Sequence, residues 1–154
     1  MLKGVISVTP GYSGGHVSNP TYEQVSNGVT GHVECTRIIF DPTLITYVRL
    51  LEVFFATHDP TIVDRQGHDI GTQYNSVVFY LNETQKNQAD EIIARLNSQT
   101  GGSIVTRVEP FKEFFEAEDY HRHYFENHRD SRYCELVIEP KLDEVKRRFG
   151  ENLK

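Results

Sequence analysis

The chain predicts an α+β domain of two layers, on three observations. Runs at Val5–Thr9, Val33–Phe40 and Ile104–Val108 alternate apolar with polar or β-branched residues, the period of a strand. Thr43–His58 and Glu83–Asn97 instead repeat their apolar residues at helical spacing. With 154 residues, 38% hydrophobic and 25% charged, the chain is long enough to bury one sizeable core. A single domain spanning 1–154 is the simplest division, because repeats, low-complexity tracts and convincing linkers are missing from the sequence.

The elements follow in order. Val5–Thr9 runs into Pro10-Gly11, which reads as a turn. Gly11 to Glu34 packs Gly and Asn turns, a Tyr and a His/Glu pair into a stretch too irregular for a plain helix or strand. Val33–Phe40 is ended by Asp41-Pro42. In Thr43–His58, Leu44, Tyr47, Leu50, Leu51 and Phe54 form a core-facing stripe. Asp59 to Ser76 is a long polar loop, and so long a loop in a compact domain is usually functional. Val77–Leu81 is a short apolar strand, and Glu83–Asn97 turns Ala89, Ile92, Ile93 and Leu96 inward before Gly101-Gly102 stops it. Phe111–Phe115 is aromatic-rich and Asp119–Asn127 has a helical pattern. Pro140–Phe149 closes the chain as a helix whose basic last turn suits the helix dipole.

Composition excludes some functions. A net charge of −6 with scattered Lys and Arg argues against nucleic acid as the main partner. No apolar run approaches a membrane span, and no basic segment followed by an apolar one opens the chain. Cys35 and Cys134 are too few for a secreted disulfide framework. A monomer in a reducing, cytoplasmic setting is the expectation.

Strand alternation places Glu34, Thr36, Ile38 and Phe40 on one face and Val33, Cys35, Arg37 and Ile39 on the other. A carboxyl sharing a face with Ile38 and Phe40 is either an exposed strand-end Glu or a group in an apolar pocket. In a pocket, desolvation raises its pKa and equips it to donate a proton near neutral pH. Tyr22 and Tyr74 are phenols delivered by turns; each either hydrogen-bonds a substrate oxygen or fills a loop–core boundary. Asp69 either orients such a phenol or a water, or stabilises its own turn. Cys134, flanked by arginines, is a thiolate candidate if exposed and otherwise a buried Cys entering a strand. Cys35 reads as a core cysteine. His121 and His123, with His128 nearby, raise a metal reading, but residues two apart on a helix do not share a face. No cysteine pair or carboxylate cluster has ligand spacing either, so no metal is expected.

Together these residues fall into a pattern. Gly11-Tyr12-x-Gly14-Gly15, Asn19-Pro20-Thr21-Tyr22, Gly31-His32-x-Glu34 and Asp41-Pro42 occur in order, followed by His58-Asp59-Pro60 and Arg65-Gln66-Gly67. Asp69-x-Gly71-Thr72-Gln73-Tyr74 and Ala117-Glu118-Asp119-Tyr120-His121 complete the series. The set resembles the peptide-methionine (S)-S-oxide reductases (the methionine sulfoxide reductase A family) over most of the chain. The resemblance implies a ferredoxin-like two-layer sandwich. It also implies thiol-dependent reduction of the S epimer of methionine sulfoxide, in proteins, in peptides and as the free amino acid. Thioredoxin or another dithiol is the implied reductant, with no bound cofactor. By resemblance Glu34 supplies the proton, Tyr22 and Tyr74 hold the sulfoxide oxygen, Asp69 supports them and His121 lies beside the pocket. Cys134 falls where the family often has its resolving cysteine, although Glu135 to Lys141 departs from the Gly-rich tail of two-cysteine members.

The family's nucleophile belongs to a Gly-Cys-Phe-Trp motif expected upstream of Gly4, and this sequence contains neither that motif nor any Trp. The expectation is therefore an amino-terminally truncated member lacking the family's first strand and helix, inactive alone, and left with unpaired sheet edges. A non-catalytic module that binds oxidised methionine is the alternative, and a zinc hydrolase built on the histidines is a third reading.

Overall fold

A computed structural model of the chain describes residues 2–121, 127–128, 130–132 and 134–154. The architecture is mixed α/β. Strand β1 (Val5–Ser13) lies between β2 (Val33–Phe40) and the short β7 (Phe114–Glu116) in an antiparallel sheet, while β5 (Val77–Tyr80) and β6 (Arg107–Pro110) form a parallel pair. β3 (Arg65–Gln66) and β4 (Asp69–Ile70) make a small hairpin. Ladder bonds among the described residues thus join three separate sheets rather than one.

Strand β1 continues through Pro10-Gly11, where the sequence predicts a turn. Pro10 is paired opposite Thr36, and its carbonyl accepts the Ala117 amide hydrogen on the β7 side. A residue's amide and carbonyl point to the same side of a strand, so the missing Pro10 N–H also faces that side. The β1–β7 ladder begins only at Gly11, and the ring therefore costs no ladder bond. Gly11 in turn lets β7 approach, since a Cβ there would collide with the Phe115 carbonyl and the Phe114 ring.

Helix α1 (Tyr22–Ser26) lies inside the irregular stretch, started by a reciprocal capping box between Thr21 and Gln24. The predicted helix from Thr43 begins later, as α2 (Tyr47–Thr57) with Thr46 as its N-cap. Asp41 accepts both the amide and hydroxyl hydrogens of Thr43 and holds that residue in a turn, which leaves Leu44 68% exposed and buries Ile45 instead. α3 (Glu83–Thr100) starts at an Asn82 cap and ends on Gly101, whose φ of 81° is the left-handed conformation that glycine adopts without strain. Ile104 and Val105 are tied to the Asn97 side chain and the Pro60 carbonyl, so the strand predicted at Ile104–Val108 starts at Arg107. The long polar loop contains β3, β4 and a 3₁₀ turn (Thr72–Tyr74). Of the helix predicted over Asp119–Asn127, a 3₁₀ turn (Asp119–His121) is described, and residues 122–126 lie outside the described set. Cys134 opens a π-helical turn (Cys134–Ile138) rather than a strand, leading into α4 (Glu139–Phe149).

Among the described residues the core is built of three clusters. Leu51, Val78, Ala89 and Ile92 pack α2 and α3 on β5; Leu50 joins Val5 and Ile45 in a second; and Tyr12, Val25 and Ala117 fasten α1 to β1. None of the described helices is long and apolar enough to cross a membrane.

Candidate functional site

A cleft of about 920 Å³ opens between β2 and β5. Its lining includes Leu50, Leu51 and Phe54 of α2, which are apolar, and the polar Glu34, Asp69 and Tyr74. Each comes from a different element. Glu34 sits near the start of β2 and pairs opposite Tyr12 of β1, so the two side chains stand on one face of the sheet. Asp69 is delivered by the β3–β4 hairpin and Tyr74 by the 3₁₀ turn that follows it.

This arrangement sets the electrostatics. Glu34 opens onto the cleft and keeps solvent access, yet the walls crowd its carboxyl. Desolvation, followed by the nearby negative charge of Asp69, raises its pKa above the ordinary carboxylate value. Tyr74 is raised as well, by burial first and then by Glu34 and Asp69, with Tyr22 adding to the shift. The cleft therefore holds a carboxyl biased toward its protonated form beside a phenol biased the same way. Such a pair can donate hydrogen bonds, and from Glu34 a proton, to a polar oxygen between them.

Tyr22 begins α1 and stands edge-on to Tyr120, with ring centroids 6.1 Å apart. It is not among the residues lining the cleft, but its phenol acts on Tyr74, which places it at the rim. The structure thus gathers Glu34, Asp69 and Tyr74 and brings Tyr22 up to their edge. His121 ends the Asp119–His121 turn, and its side chain lies outside the described set.

The cysteines are placed differently. Cys134 is 0% exposed, its amide hydrogen donated to the Ser131 hydroxyl, so its side chain is not open to solvent as the exposed reading requires. Cys35 pairs opposite Gly11 on the other face of β2 from Glu34. Burial, and then the Glu34 charge, push its thiol up to about 12. Among the described residues, no group of three His, Cys, Asp or Glu side chains could hold a metal ion.

Residues that have a place in the sequence motifs but no role assigned from them hold the site together. His32 is buried; its Nδ1 accepts the Gly15 amide hydrogen at 3.0 Å, so Nε2 carries the proton and donates to the Val17 carbonyl at 2.7 Å. Gln73 donates to the Ser26 carbonyl at 3.0 Å, fastening the end of α1 to the turn that carries Tyr74. For α1, a helix missing from the predicted elements, the Thr21-x-x-Gln24 capping box was the available signal. Gln73 and His32 offered none beyond their place in the motifs.

Comparison with known proteins gives a consistent picture. A family model described as peptide methionine sulfoxide reductase matches residues 1–153. A peptide methionine sulfoxide reductase MsrA of Saccharolobus solfataricus is 49% identical over 99% of this chain and 86% of its own length. One from Chromobacterium violaceum is 52% identical over 99% of this chain and 88% of its own. Among solved structures, Mxr1 from Saccharomyces cerevisiae in reduced form aligns with a TM-score of 0.79 at 30% identity, covering 83% of this chain and 74% of that one.

Proposed function

Since this chain belongs to the peptide methionine sulfoxide reductase family, we propose that its cleft takes the S epimer of methionine sulfoxide, free or in proteins, with Glu34 as proton donor. The observation that carries the assignment is the raised carboxyl of Glu34 in one cleft with Asp69 and Tyr74. Loss of the sulfoxide oxygen needs a proton as the S–O bond weakens, and a Glu held neutral by its surroundings provides it. Tyr74 and Tyr22 hold that oxygen, Asp69 adds to the desolvation that raises the Glu34 pKa, and the family resemblance assigns His121 to the pocket. In the reaction, a thiolate attacks the sulfoxide sulfur, the oxygen passes to the cysteine as a sulfenic acid, and methionine leaves. A second thiol condenses with the sulfenic acid to a disulfide and water, and a dithiol such as thioredoxin reduces the disulfide, which suits a reducing, cytoplasmic setting. The β2-β1-β7 sheet and the β5-β6 pair are read as parts of one ferredoxin-like layer parted at the cleft.

Neither thiol present fits the attacking role. Cys35 lines the cleft, but burial and the Glu34 charge push its thiol up to about 12, and Cys134 is fully buried, where a resolving role would require it to emerge. The 154 residues contain no Gly-Cys-Phe-Trp motif. This placement of the thiols favours a second reading, a module that recognises oxidised methionine without reducing it. An epimer-resolved assay with dithiothreitol separates the two. The protein is compared with a version to which the family's Gly-Cys-Phe-Trp segment has been joined. Turnover of the S epimer in the joined version alone supports the reductase reading, and no turnover in either supports the binding module. Turnover by the unmodified chain, abolished by Cys134→Ser or Cys35→Ser, would show that the thiol assignment is wrong.

A further inference from the structure

We propose that Glu118 is a positioning residue for the site, clamping the Tyr22 backbone to the strand pair that carries Glu34; this rests on reading Tyr22 as a ligand of the sulfoxide oxygen. One carboxylate oxygen of Glu118 accepts the backbone amide hydrogen of Tyr22 at 2.7 Å, and the other accepts the Tyr12 phenol hydrogen at 2.7 Å. The two donors are far from Glu118 in the chain and belong to different elements, α1 and β1. Tyr12 pairs directly opposite Glu34. A single carboxylate thus spans the distance between the element holding the rim phenol and the strand pair holding the acid.

Helix α1 needs such an anchor. It has five residues, far fewer than a helix needs to hold itself together, and the Tyr22 amide lies in its first turn, where no intrahelical partner exists. Thr21 and Gln24 cap each other, which leaves the Tyr22 amide to Glu118. The other end of α1 is held by Gln73. Tyr120, two residues beyond Glu118, stands edge-on to the Tyr22 ring, so one short segment fixes Tyr22 by backbone and by ring. Tyr12 is well placed as the opposing donor: burial, then the hydrogen bond to Glu118, drive its phenol far above its ordinary pKa and keep its hydrogen in place. Gln is the informative conservative replacement. Its amide oxygen can accept from Tyr22 and its NH₂ can donate to the Tyr12 oxygen, whereas Ala offers neither contact.

Two readouts on the 154-residue protein test the role. In the first, hydrogen exchange at the Tyr22 amide is compared with core amides of α3. Glu118→Ala is expected to speed exchange at Tyr22 by about tenfold or more with the α3 amides unchanged, and Glu118→Gln to restore most of the protection. In the second, the affinity for a peptide containing methionine (S)-sulfoxide is measured by isothermal titration calorimetry. Glu118→Ala is expected to weaken binding in the parent and to add nothing in a Tyr22→Phe background, because the effect passes through that phenol. Unchanged Tyr22 exchange in Glu118→Ala, or equal losses of affinity with and without the Tyr22 hydroxyl, would overturn the positioning role. If instead Tyr22→Phe leaves sulfoxide affinity intact while Glu118→Ala still frees the amide, the oxygen-holding reading of Tyr22 fails and the clamp stands as structure alone.

Discussion

Val25→Ala tests whether the site depends on packing beneath α1. Val25 is 0% exposed and sits in one cluster with Tyr12 and Ala117, against Phe115. The substitution removes two buried carbon groups, about 1.6 kcal/mol at roughly 0.8 kcal/mol each. If the space does not collapse, a void on the order of 50 Å³ adds about 1.2 kcal/mol, and the total comes to about 2–3 kcal/mol. That is a large share of the roughly 5–15 kcal/mol that stabilises a domain. Urea unfolding followed by circular dichroism measures it, with an unchanged slope showing that the difference lies in stability. Val29→Ala is the matched control, since Val29 is 64% exposed and the same change there should stay within about 0.5 kcal/mol. Tyr22 lies one turn before Val25, so Val25→Ala should also weaken the response of the Tyr22 ring to a sulfoxide peptide. A loss under about 1 kcal/mol, or one equal to the Val29 control, would mean that α1 rests on the surface rather than on a packed seam.

Three further outcomes are expected. Desolvation raises the Glu34 pKa, so the folded chain holds that proton more tightly than the unfolded chain; stability is lost as pH rises from the unfolded value through the folded one. Glu34→Gln should accordingly raise the urea midpoint at about pH 8 and leave it unchanged at about pH 3, and a gain confined to acid pH would contradict the sign. With its pKa pushed up to about 12, Cys35 should react with an aromatic disulfide reagent at about pH 8 far more slowly in the folded than in the unfolded chain, as should Cys134; a thiol that reacts at once in the native protein would refute that placement. Gly11→Ala should cost about 1–3 kcal/mol and lower the melting temperature by roughly 3–10 °C, because its methyl meets the Phe115 carbonyl and the Phe114 ring; an unchanged melting curve would show that β7 yields freely.

Where local chemistry decides the structure, the sequence was legible. The alternation in Val33–Phe40 predicted β2 to the residue and put Glu34 on the face opposite that of Cys35. The apolar spacing from Glu83 and the Gly101-Gly102 stop predicted α3, short of its observed end by one turn. The errors arose where another contact, long-range in one case and local in the other, overrode a turn or periodic signal. Pro10-Gly11 has turn chemistry, but β2 pairs along its whole length and carries β1 through it. Leu44 has the helical spacing of its neighbours, yet the Asp41–Thr43 contacts delay the helix and expose it.

The site was legible in a different way. Glu34, Asp69 and Tyr74 could each be named from the chain, but their proximity depends on β2, a two-residue hairpin and a 3₁₀ turn meeting across one cleft, which periodicity does not encode. Glu118 shows the limit most clearly. In the sequence it is one acidic residue in Ala117-Glu118-Asp119-Tyr120, indistinguishable by spacing from Asp119. Only the return of β7 alongside β1 brings its two oxygens to Tyr12 and to the start of α1. A carboxylate that binds donors from two distant elements is defined by topology. The residues that line the cleft could therefore be named from local pattern, and those that hold them in register could not.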